Sequence, residues 1–169
     1  MKKLFRNRGS EMEEKSGPSI DASRTKRNQK DIYSLPSAVL FFIGCFDVVR
    51  GFMHTFNLTW SAANFAKFDM ATTPQDQIFL LGVFGISNFL TGFMHLFISR
   101  KAKHLSPYIL IIIPLAYILG LIGITSGGIR GQAAFEGKYI MMVYFAICIV
   151  AFFIFLVQRK KNPSKDFTK

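Results

Sequence analysis

Four apolar runs, each close to the ~20 residues a helix needs to cross a hydrocarbon core, divide the chain into alternating apolar and polar blocks. They cover residues 35–56, 78–99, 107–126 and 139–158. Thr73-Pro74-Gln75-Asp76 opens the second run with an N-cap hydroxyl, a proline at the first helical position and an acid in the first turn, and Ser106-Pro107 opens the third in the same way. Backbone polar groups in lipid must be satisfied within the segment, so runs of this length are helices. Short connections place consecutive helices side by side. The pattern therefore predicts an all-α membrane protein, four transmembrane helices in an antiparallel up-down bundle spanning 34–158.

The flanks differ. Residues 1–33 hold few large apolar side chains and read as a disordered basic cytoplasmic tail, because such a stretch cannot offset its ordering entropy. Residues 159–169 form a second basic tail. In the loop 57–77, Trp60, Phe65, Phe68 and Met70 stand among small and polar residues, the composition of a short helix in the membrane interface with Trp60 as a belt residue.

Charge fixes the orientation. The chain is 50% hydrophobic yet carries a formal net charge of +11. A nucleic-acid-binding domain gathers its charge on one face of a soluble fold. Here every basic residue but Arg50 sits between or beyond the apolar runs, which excludes nucleic acid and makes the lipid bilayer the partner. Seventeen lie in the two tails and the loop after the second run, against Lys67, Arg130 and Lys138 in the other two loops. The positive-inside rule then puts both termini in the cytoplasm and the protein in the plasma (cytoplasmic) membrane. Arg24, Lys26, Arg27 and Lys30, just before the first run, are placed to meet anionic lipid head groups. Cys45 and Cys148 fall inside apolar runs as small core residues, so no disulfide is expected.

One stretch breaks the apolar pattern. Asp47, Arg50, Gly51 and His54 occupy positions i, i+3, i+4 and i+7, one stripe along the first helix. Two central charges cost about 5–7 kcal/mol on insertion, whereas the eleven Leu, Ile, Phe and Val residues of that run return roughly 3–6. The first helix must lean on the others, with the stripe turned inward. Gly51-Phe52-Met53-His54 recurs as Gly92-Phe93-Met94-His95, and the same offset of 41 pairs Gly44 with Gly85, Asp47 with Asn88 and Arg50 with Thr91. The second helix thus carries a neutral stripe of Asn88, Thr91, Gly92 and His95. With the helices crossing in opposite senses this is an inverted repeat, in which Gly51 and Gly92 permit close approach and Asp47 meets Asn88 near the midplane. His54 and His95 then lie roughly 20 Å apart in depth, too far to share a metal or haem. No metal, no cofactor and no catalytic residue is expected, and no motif for zinc, phosphate or dinucleotide binding occurs. The third helix offers Gly120 and Gly123 for packing. It and the fourth read as apolar scaffold, with Tyr139 and Tyr144 toward the outside.

These features lead first to a structural, accessory or assembly role, as a homo-oligomer or within a larger membrane complex, rather than to an enzyme. Two alternatives carry different chemistry. One is a small proton-coupled transporter with Asp47 as the titrating group; the other is a lipid- or quinone-binding membrane protein or enzyme with a pocket near His54. The charge bias makes a direct prediction: a reporter enzyme that needs the cytoplasm will be active when fused after Lys169 and inactive when inserted after Lys67.

Overall fold

The computed structural model describes residues 20–128 and 137–161, with side chains from Ile32 onward. Its helices are α1 (Ile20–Thr55), α2 (Leu58–Asn64), α3 (Gln75–Lys101), α4 (Ser106–Ser126) and α5 (Gly137–Lys161), with a 3₁₀ turn at Lys103–Leu105 ahead of α4. Four of them, within Ile32–Thr55, Gln75–Lys101, Lys103–Ser126 and Gly137–Lys161, are long and apolar enough to cross a membrane. This is the make-up of a small integral membrane protein.

One boundary differs from expectation. The tail predicted to be disordered to residue 33 is helical from Ile20. Arg, Lys and Gln are good helix formers, and extending a helix already nucleated in the apolar run costs far less than starting one. The head-group contact expected of Arg24, Lys26, Arg27 and Lys30 lies outside the described side chains, as do residues 1–19, 129–136 and 162–169. The loop after α1 does hold a short helix, α2, and Trp60 on it is about half exposed. Beyond α2, Asp69 closes a turn by accepting from the Ala71 N–H and the Thr72 hydroxyl, bonds that hold its carboxyl below the usual carboxylate range.

α1 is the hub: it contacts α2, α3, α4, α5 and the 3₁₀ turn. On one side its Leu40 and Ile43 join Leu110 of α4 and Tyr144, Cys148 and Ala151 of α5 in the apolar core. At one end of the bundle Tyr33 packs on Phe155, and the Arg100 guanidinium lies 4.5 Å from the Phe41 ring centroid, so the cation covers an aromatic face. Much of the outer surface is apolar, with Phe42 71% and Leu90 68% exposed. Lipid is the solvent such side chains meet, and burying them against other helices gains little.

The seam between α1 and α3 is built differently, from glycine. A Cβ on Gly44 would stand 3.0 Å from the Gly92 carbonyl oxygen, and one on Gly92 would stand 2.9 Å from that of Gly44. One on Gly51 would stand 3.0 Å from the Gly85 oxygen and from the Phe89 nitrogen, and one on Gly85 would collide with His54 and Thr55. Gly44, Gly51, Gly85 and Gly92 thus stand where the facing backbone leaves no room for a Cβ. Contacts fall in number along α3 as they rise along α1: Ser37 meets Ser99, Gly44 meets Gly92, Gly51 meets Gly85.

Gly120 and Gly123 do not pack as expected, since a Cβ on either meets nothing within 4 Å. In α4 the buried residues are Ser106, Pro107, Leu110 and Pro114, and every position from Leu115 to Gly128 is exposed. The small residues thus lie on the exposed half of α4. The contrast is testable by thermal unfolding in detergent: Gly92→Ala should cost about 1–3 kcal/mol through overpacking against backbone, while Gly120→Ala should change stability by less than about 0.5 kcal/mol.

Candidate functional site

Among the described residues, the buried polar side chains are Ser37, Asp47, His54, Ser61, Asn88, His95, Ser99 and Ser106. Six of these eight lie on α1 and α3, Ser61 is supplied by α2, and Ser106 is the first residue of α4. Isolated polar groups are costly in such a fold; the Ser106 hydroxyl has no hydrogen-bond partner, while the six on α1 and α3, with Ser61, form one column along that seam.

Asp47 is its centre and is 2% exposed. The Tyr144 hydroxyl of α5 donates to Asp47 Oδ2 at 3.0 Å, and His95 Nδ1 of α3 lies 3.1 Å from the same oxygen. Asp47 Oδ1 stands 3.5 Å from Arg50 Nη2. Arg50 Nη2 in turn donates to Asn88 Oδ1 at 2.7 Å, and Nη1 donates to the Met141 sulfur at 2.8 Å. The guanidinium carbon also lies 5.4 Å from the Phe84 ring centroid. The acid and base at i, i+3 on α1 are thus held from α3 and from α5. Three atoms in this cluster, Asp47 Oδ1, Arg50 Nε and Asn88 Nδ2, are buried with no hydrogen-bond partner.

The sequence stripe is brought together with one exchange of partners. Asp47 meets His95, and Asn88 meets Arg50, in place of the expected Asp47–Asn88 contact. The cause is the tilt of every Cα–Cβ bond toward the N-terminus of its own helix. With Gly51 against Gly85, position 47 faces position 89 or so, and in helices of opposite sense Asp47 leans one way and Asn88 the other. His95 leans back toward Asp47 across the six residues that separate 89 from 95. Arg50 is long enough to reach Asn88.

Thr91 is not part of the cluster. It is exposed, and its hydroxyl donates to the Ser87 and Asn88 carbonyls of its own helix, the habit of a threonine whose helix face has no polar neighbour. His54 sits apart from the acid, with Nδ1 hydrogen-bonded to the Ser61 hydroxyl and its ring against Phe84 and Phe65. Toward the other end of the column, Ser37 Oγ donates to the Ser99 carbonyl at 3.1 Å and Ser99 Oγ to the Leu96 carbonyl at 2.8 Å.

Three residues of the site were not expected from the sequence. Tyr144 and Met141 come from a helix that reads as scaffold, and Ser61 from a loop that reads as interfacial. Tyr144 is buried, at 7% exposure. Depth was the usable signal: Tyr144 stands seven residues into α5 and Asp47 eight residues before the end of α1, so helices of opposite sense bring the two level.

Compared with known protein families, curated proteins and solved structures, the chain matches none. The geometry alone therefore bears on function. It predicts graded losses on chemical unfolding in micelles. Asp47→Asn, which leaves Arg50 buried without a counter-charge, should cost about 3–5 kcal/mol; Tyr144→Phe, which removes one bond to a charged acceptor, should cost about 1.5–3; and Asp47→Asn with Arg50→Gln should cost less than the sum of the two single changes.

Proposed function

We propose that the chain is a small accessory or assembly protein of the plasma membrane: an up-down four-helix bundle built on an inverted repeat, with both termini in the cytoplasm, whose polar column fixes the register of α1, α3 and α5. One observation carries this reading. The Asp47 carboxylate is enclosed and held by side chains from two other helices, as a clamp requires, and unlike a group that must exchange a bulky solute. The inverted repeat draws support from the glycine contacts. Gly51 rests on Gly85 and Phe89, and Gly92 rests on Gly44 and Val48; each set is the other shifted by the offset of 41. The outer half of α4, exposed and carrying Gly120 and Gly123, supports association with a further helix, since small residues let backbones approach.

A second reading, the proton-coupled transporter, is favoured by the contact of His95 with Asp47, an imidazole on a buried acid. Proteoliposomes separate the two. Under the accessory reading the wild type shows no through-flux of protons, and Asp47→Asn lowers yield and melting temperature. A proton flux that Asp47→Asn abolishes while leaving the melting temperature unchanged would overturn it in favour of transport.

A further inference from the structure

Three side chains touch the Asp47 carboxylate: Arg50, His95 and Tyr144. Only one of them, His95, has a second ring nitrogen through which a proton can be relayed. A guanidinium does not give up its proton and a phenol holds its own far above neutrality, whereas an imidazole titrates in the physiological range. His95 is also the more open of the pair, its side chain 11% exposed against 2% for Asp47. The charged and titratable groups around the acid are few. α1 contributes Arg50, α3 contributes His95, and α5 contributes Tyr144 and, one turn on, Cys148. α2 has no ionisable side chain, and those of α4, Tyr108 and Tyr117, pack on Phe155 and Phe145.

The two directions along the column are unequal. From His95 to Lys101 at the end of α3 is six residues, about 9 Å at 1.5 Å per residue, and the buried hydroxyls of Ser99 and Ser37 lie in that interval. In the other direction the Arg50 guanidinium, tied to Asn88, stands between Asp47 and the His54–Ser61 pair. A fixed cation in a low-dielectric passage repels hydronium and imidazolium alike.

We propose that Asp47 is a proton-binding site loaded through His95 from the face of the bundle that carries Lys101 and Lys161, and closed to the opposite face by Arg50 and Asn88. A proton accepted at His95 Nε2 makes the ring an imidazolium. The Nδ1 proton then passes to Asp47 Oδ2, leaving a neutral carboxylic acid and a neutral imidazole protonated at Nε2. Nothing else is consumed. The positive charge that entered stays in the site on Arg50, whose carboxylate counter-charge has gone, and Tyr144 keeps its hydrogen bond to the acid. The inference goes beyond the accessory reading and does not depend on it, because a chain that assembles a complex can bind a proton here without passing one across.

The test uses the full-length chain in proteoliposomes, its orientation fixed by protease cleavage of the C-terminal tail, with infrared detection of the protonated carboxyl band after pH jumps. Isotope-labelled aspartate identifies the band in the wild type, so that assignment does not hang on whether Asp47→Asn folds. The expected result is a protonated aspartate band that appears on acidification, rising at least roughly tenfold faster when acid is applied to the Lys101 face. His95→Gln should slow loading by on the order of a hundredfold with the final amplitude retained, and Arg50→Gln should bring the rates from the two faces together. Absence of the band, equal rates from both faces in the wild type, or an unchanged rate in His95→Gln would each overturn the proposal.

Discussion

A carboxylate that cannot be left alone in hydrocarbon organises this bundle. Asp47 on α1 is held by an imidazole from α3, a phenol from α5 and a guanidinium from its own helix. Removing such a group from water costs several kcal/mol even after relaxation, and the cost is met only if every neighbour is in place. The requirement therefore spreads outward. α3 must come near enough for His95 to reach, α5 must stand at the depth that presents Tyr144, and α1 becomes the helix against which the others are arranged.

Close approach is what the glycines supply. Lipid tails are as apolar as leucine, so helices in a membrane gain little from apolar burial and associate through backbone proximity and polar bonds. The α1–α3 seam uses both, with Gly44, Gly51, Gly85 and Gly92 bringing the backbones together at the points between which Asp47, Arg50, Asn88 and His95 interlock. On the other side of α1 the contact with α4 and α5 is made by Leu40, Ile43, Leu110, Cys148 and Ala151, and α4 departs from it beyond Pro114. The bundle is thus firm where polar groups must be matched and open where only lipid has to be met.

The helical content and the inward stripe on α1 could be read from the sequence because they depend on local pattern: run length, start signals, and the spacing of Asp47, Arg50 and His54 along one face. What could not be read depends on the third dimension. Asp47 and Asn88 occupy equivalent places in the two stripes, yet the N-ward tilt of side chains on helices of opposite sense separates them and brings His95 to the acid instead. Tyr144 looked like an interfacial aromatic because nothing in its own helix marks it; its role appears only when its depth is matched to that of Asp47. Gly120 and Gly123 have the spacing of packing residues but no neighbour to receive them. The start of α1 at Ile20 was hidden by composition, since a charged segment that would not fold alone is carried by the apolar helix that follows it.

The bond from Tyr144 to Asp47 joins residues 97 positions apart. When α1 leaves the ribosome its acid has Arg50 for company and little else; the histidine is still to be made, and the phenol comes last. At roughly 5–20 residues per second, the first helix waits about 5–20 s for its final partner. During that interval the helix carries its charge pair without the partners that offset it, so its transfer into lipid is least favourable before the closing helix arrives. The last segment to be synthesised thus completes the site on which the first depends.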